Sequence, residues 1–101
     1  MKRGYRADVK MQKSLCHDLE LDGTVYQGEL LQYNENKECI YILINSNDLT
    51  KISLDAIYVC EIYADTECLQ CTGRVKERYC HELGNVLKME IENGFYKINI
   101  K

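Results

Sequence analysis

The sequence predicts an all-β fold, a small six- to seven-stranded antiparallel barrel. Three observations carry the prediction. Apolar and polar residues alternate with a two-residue period through the C-terminal third. Asp-Gly and Asn-Gly pairs, which tolerate the positive φ angles of tight hairpins, interrupt the alternating runs. Six or seven short runs fit into 101 residues, where curling the sheet on itself buries the core economically and removes open edges.

In chain order, residues 1–13 read as a basic N-terminal segment and residues 14–101 as the β-barrel domain. The head carries Lys2, Arg3, Arg6, Lys10 and Lys13 against Asp8 alone. Asp22-Gly23 then reads as a hairpin turn pairing Leu21 with Thr24, Leu19 with Tyr26 and Leu15 with Leu30. A short helix over Ser14 to Leu21 is the rival, because Leu15 and Leu19 are also four apart. Cys39 to Ile44 is apolar on both faces and fits a central strand; Ile57 to Tyr63 fits another, with Tyr58, Cys60 and Ile62 on one side.

A long strand is expected over about residues 67–80, where Leu69, Cys71, Val75 and Tyr79 alternate with Gln70, Thr72, Arg74, Lys76 and Arg78. Leu87, Met89 and Ile91 alternate next with Lys88, Glu90 and Glu92. Asn93-Gly94 would turn the chain back, pairing Ile91 with Tyr96, Met89 with Ile98 and Leu87 with Ile100, and setting Glu90 opposite Lys97. A five-residue loop from His81 to Asn85 would pair Tyr79 with Leu87 and Val75 with Ile91, with Lys76 facing Glu90 and Arg74 facing Glu92.

Composition bounds the rest. With 46% hydrophobic and 29% charged residues the chain lies in the globular range. The net charge of −3 sits on an acidic body, which argues against a nucleic-acid polymer as partner. No apolar run approaches the ~20 residues of a membrane span, and Met1-Lys2-Arg3 is not followed by the apolar stretch of a signal peptide. A cytoplasmic location with reduced thiols is therefore expected for the six cysteines.

An arginine-bearing opening segment, a six-stranded antiparallel barrel, and the strand Cys71-Thr72-Gly73-Arg74-Val75 before the Gly84-Asn85 turn together resemble the PilZ family of bacterial cyclic di-GMP receptors, over residues 3–92. The resemblance implies a signalling role and a ligand held by an Arg-x-x-x-Arg pair and an Asp/Asn-x-Ser-x-x-Gly turn. Here the pair reads Arg3-Gly4-Tyr5-Arg6, one residue shorter. The turn reads Asn34-Glu35-Asn36-Lys37-Glu38-Cys39, with neither the serine nor the glycine. Two guanidinium forks reach one ligand only at the right spacing, so the resemblance implies weak nucleotide binding, or a barrel retained for contact with a protein partner.

Other constellations read as structural. Cys68-Leu69-Gln70-Cys71 with Cys80 and His81 supplies four ligand types that zinc prefers, and a zinc-stabilised domain is the alternative reading. Residues three apart on a strand point to opposite faces, however, so packed thiols and no cofactor are expected. The same C-x-x-C lacks the βαβ context of a redox motif, and no activating motif surrounds a Cys/His pair such as Cys80 with His17 or His81. Asp18 with Glu20, and Glu90 with Glu92, fall on outward faces as solvated carboxylates. Arg74, Lys76 and Arg78 form a basic stripe in which Arg78 alone lacks an acidic partner, and the eight tyrosines suit barrel packing or an interface. The expectation is a non-enzymatic binding or regulatory module that meets an anionic ligand or cyclic dinucleotide through Arg3 and Arg6.

Overall fold

A computed structural model describes residues 3–14, 23–45, 50–54 and 56–98. It contains six strands: β1 (Arg6–Ser14), β2 (Val25–Asn34), β3 (Cys39–Ile44), β4 (Ala56–Tyr63), β5 (Cys68–His81) and β6 (Gly84–Ile98). There is no helix among the described residues. All neighbouring strands are antiparallel, and the order β1-β2-β3-β6-β5-β4 closes into a barrel through β1 and β4. The chain thus forms two three-stranded meanders, β1–β3 and β4–β6, sealed along β1–β4 and β3–β6.

The core follows the two-residue period on every strand. Val9 and Met11, Tyr26 and Leu30, Ile40 and Ile42, Tyr58, Cys60 and Ile62, Cys71 and Val75, and Leu87, Met89 and Ile91 all point inward and are buried. Ile52 adds a buried side chain from the β3–β4 connection. That connection is pinned twice: Ser53 N–H donates to the buried Tyr58 hydroxyl at 2.9 Å, and Arg78 donates to the carbonyls of Thr50 and Ile52. Arg78, which faces Leu87 in the strand register, thus holds this connection.

Two glycines permit the barrel's tight corners. Gly28, central in the first meander, lies so close to β3 that an added Cβ would sit 2.0 Å from the Leu43 carbonyl oxygen. Gly73, central in the second, would place one 2.0 Å from the Glu90 carbonyl oxygen of β6. Strand glycines at such positions let two backbones approach where a sheet must coil. The two meanders therefore use the same device at matching places.

The strands expected at Cys39–Ile44, 57–63 and 67–80 are present, with Tyr58, Cys60 and Ile62 all inward as read. Three pairings differ. Asn93 and Gly94 do adopt positive φ (68° and 72°), but β6 runs through them to Ile98. Gln70 opposes Tyr96 and Thr72 opposes Glu92, so Cys71 faces residues 93–95 and the pair is a bulge instead of a hairpin turn. A hairpin here would need a free edge on β6, and both edges are taken, by β3 and by β5. Because the bulge adds an even number of residues, Phe95 packs toward the core and Tyr96 faces out, 49% exposed.

The β5–β6 turn is also tighter than the expected five-residue loop, since His81 pairs with Gly84. Tyr79 consequently faces Val86 and is exposed, Val75 faces Met89, and Arg74 faces Glu90 in place of Glu92. Lys76 has no opposite residue because it is the bulged position between Val75 and Glu77. At the start of the chain, residues 6–13 of the basic segment form, with Ser14, the barrel strand β1, hydrogen-bonded between β2 and β4. Tyr26 opposes Val9, and Leu30 bonds to Tyr5 and pairs with Ile42; the expected partners Leu15, Leu19 and Leu21 lie outside the described residues. The expected strand or helix over 14–21 lies, beyond Ser14, outside the described residues.

Candidate functional site

Closure of the barrel brings β1 beside β4, and their outward residues form one wall. Arg6 pairs with Tyr63, Asp8 with Glu61 and Lys10 with Val59 across the seam. Arg6 grips Asp8 with two hydrogen bonds, Nε to Oδ1 at 3.2 Å and Nη2 to Oδ2 at 3.0 Å. Its guanidinium lies 5.1 Å from the centre of the Tyr63 ring. The Tyr63 hydroxyl donates to Glu61 Oε2 at 2.9 Å. Three sides of this square are attractive. The fourth sets Asp8 directly opposite Glu61, a like-charge pair that a sheet tolerates poorly without compensation.

Burial, with the hydrogen bond to Glu61 second, pushes the Tyr63 phenol up to about 12. The Cys68 thiol on the same wall is raised mainly by burial, with a smaller contribution from Glu61 and Asp8. Next to the square lies a groove of about 380 Å³ lined by Asp8, Lys10, Met11, Gln12, Val25, Val59 and Glu61. The groove has a structural cause. Pairing of β1 with β2 runs only to Lys10 and Val25, and Gln12 is the bulged residue where β1 slips register against β4. Its volume falls within the ~300–1,000 Å³ range of small-molecule sites.

The residues singled out from the sequence are distributed differently. Arg3 is exposed in the turn before β1, and Arg6 is committed to Asp8 and Tyr63. Gly4 N–H donates to Leu30 O at 2.7 Å and Leu30 N–H to Tyr5 O at 2.8 Å, tying this segment to β2. Since β2 runs on from Leu30 to Asn34, segments 3–6 and 34–39 lie toward the same end of the barrel, with ~13 Å of strand between Leu30 and Asn34. There Tyr5, Tyr33 and Phe95 pack against the core, the last two edge to face at 5.1 Å, and Asn34 Oδ1 accepts from Lys37 N–H at 3.2 Å.

The four alternative zinc ligands are not brought together. Cys71 belongs to the barrel interior, whereas Cys68, though covered, lies outside that cluster. Cys80 is exposed beside His81, whose Nδ1 accepts from Leu83 N–H at 3.3 Å, roughly 30 Å along β5 from Cys71 at the usual strand rise. Among the described residues no three His, Cys, Asp or Glu side chains are placed to hold a metal, and no helix is long and apolar enough to cross a membrane. Asp8, Glu61 and Tyr63 were not singled out beforehand. The one available signal was their same-face spacing, Arg6 with Asp8 and Glu61 with Tyr63, each two apart on a strand.

The fold and wall define a closed six-stranded antiparallel barrel with an outer groove of mixed lining that carries Asp8 and Glu61. No protein-family model, curated protein or solved structure matches the chain.

Proposed function

We propose that this barrel is a non-enzymatic binding module whose ligand occupies the outer groove beside Asp8 and Glu61. The observation that carries the reading is the groove itself: about 380 Å³, walled by Met11, Val25 and Val59, with Asp8, Glu61, Lys10 and Gln12 as its polar groups. Its ionic groups are Asp8, Glu61 and Lys10; Asp8 is ion-paired with Arg6, whereas Glu61 accepts only the Tyr63 hydroxyl among the described residues and is the carboxylate left for a ligand. A small ligand bearing a positive charge and hydrogen-bond donors fits that balance. The wall's acid and phenol partners are bonded to one another, an arrangement suited to recognition more than to proton transfer.

A second reading, a cytoplasmic PilZ-like signalling module for an anionic ligand or cyclic dinucleotide, draws on the placement of segments 3–6 and 34–39 toward the same barrel end. There Arg6 would have to exchange Asp8 for a phosphate, so weak nucleotide affinity follows. Titration calorimetry with agmatine and with cyclic di-GMP, on the natural chain, Glu61→Gln and Arg3→Ala/Arg6→Ala, separates the two. Agmatine heat weakened about tenfold or more by Glu61→Gln supports the groove. Cyclic di-GMP heat abolished in the arginine variant supports the second reading. Heat with neither compound overturns both readings.

A further inference from the structure

Cys60 of β4 and Cys71 of β5 are direct partners in the antiparallel register, both point into the barrel, and both are fully buried. Among the described cysteines no other two share a register position: Cys39 faces Asn34 and Glu90, Cys68 faces Tyr63 and Ile98, and Cys80 faces Asn85. Directly opposed residues in an antiparallel pair have Cα atoms ~4.5–5.5 Å apart, inside the ~4.4–6.8 Å window that a disulfide requires. The register and the shared inward face set the two thiols side by side in the barrel interior. On its other edge, β5 is slack at this point, because the Asn93–Gly94 bulge leaves Cys71 without a registered partner on β6. A small adjustment of the Cys71 backbone therefore does not disturb a regular ladder on that side.

We propose that Cys60 and Cys71 form a latent disulfide, a redox-closable staple between β4 and β5 inside the barrel. The oxidant is a peroxide. One thiolate attacks the O–O bond, giving a sulfenic acid and releasing an alcohol or water. The second sulfur then displaces the sulfenic oxygen as water. Two thiols and one peroxide yield one disulfide, one alcohol and one water; the sulfurs lose two electrons and the peroxide gains them. The neighbouring Cys71 thiol first, and burial second, hold the Cys60 thiol well above its ordinary range. Closure is therefore slow and follows the local opening of the barrel. The bond would brace the strand that carries Val59 and Glu61, the two β4 residues of the groove.

The test is hydrogen peroxide treatment of the folded protein, alkylation of remaining thiols after denaturation, and peptide mapping. The expected product is an intramolecular species ~2 Da lighter, for two hydrogens lost, with a peptide linking Cys60 to Cys71. Its urea midpoint should rise by roughly 1 M, and reductant should reverse the shift. Cys71→Ala should abolish the link and the shift; where that variant does not fold, the peptide map of the natural chain still decides. Peptides joined through any other pair, an intermolecular bridge at exposed Cys80, or Cys60 and Cys71 both alkylated while Cys80 is oxidised, each overturn the proposal.

Discussion

Replacing Gly73 with alanine tests the close strand approach on which the barrel's curvature depends. The added Cβ would lie 2.0 Å from the Glu90 carbonyl oxygen, 2.9 Å from its carbonyl carbon and 3.1 Å from the Ile91 Cα, all backbone atoms that no side-chain rotation can move away. Ordinary contact begins near 3.4 Å. The strands must then separate by more than an ångström, against a normal ladder spacing of ~4.7–4.9 Å. That stretches at least two inter-strand hydrogen bonds beyond useful length, at about 1 kcal/mol each, and adds roughly 1–3 kcal/mol of overpacking strain. Alanine's stiffer unfolded chain returns only ~0.4–1 kcal/mol. The net loss is about 2–4 kcal/mol, against the ~5–15 kcal/mol that typically stabilises a domain.

Urea denaturation followed by circular dichroism reads this directly. With a slope near ~1–1.5 kcal/mol/M for a chain of this size, the midpoint should fall by about 2 M. Gly28→Ala should behave alike, because its Cβ would meet the Leu43 carbonyl oxygen at the same 2.0 Å. Gly23→Ala is the control: its Cβ would meet nothing within 4 Å, and its stability should stay within ~0.5 kcal/mol. A Gly73→Ala protein as stable as that control would refute the close approach of β5 to β6.

Two further outcomes follow from the wall and the connection. Because folding raises the Tyr63 phenol from 10.0 to about 12, the folded state favours the protonated form. Its contribution to stability should be whole below pH 10 and should disappear as pH rises from 10 to 12. Phenolate absorbance titration, taken as a difference against Tyr63→Phe, should show this late ionisation. Glu61→Gln should move it only part of the way down, since burial is the larger cause; an unmoved titration would remove Glu61 as a contributor. Tyr58→Phe deletes the acceptor for Ser53 N–H and should cost about 1–2 kcal/mol, with faster amide exchange in residues 50–54. A loss below ~0.3 kcal/mol would mean that the connection is held elsewhere.

Legibility in the sequence tracked how locally each feature is determined. β4 was readable because Tyr58, Cys60 and Ile62 alternate strictly with Ile57, Val59, Glu61 and Tyr63, and one buried face is enough to enforce that period. β5 was readable for the same reason, and β3 as an unbroken apolar run, Cys39 to Ile44, that suits a central strand. Asn93-Gly94 misled because positive φ at two successive residues serves a hairpin turn and a bulge equally well; which one forms depends on whether an edge is free, and β3 decides that from some fifty residues away. The β5–β6 register failed by one residue beyond Lys76 and by two before it. A single bulge slips pairing without disturbing the inward pattern of Val75, Leu87 and Met89.

The outer wall was illegible for a deeper reason. Asp8 and Glu61 are neighbours only because the barrel closes through β1 and β4, and no local signal names the strand that closes a barrel. Once closure sets the two carboxylates opposite each other, each is offset by the residue two places along its own strand: Arg6 neutralises Asp8, and the Tyr63 hydroxyl hydrogen-bonds Glu61. Those two partners then stack on one another across the seam. The seam is therefore held by a polar square whose repulsive side faces the groove. A ligand that places a cation between Asp8 and Glu61 relieves that repulsion without breaking the other three contacts, whereas one that recruits Arg6 must first dismantle two of them. This asymmetry is the physical reason for which the proposed ligand site is the groove and not the arginines.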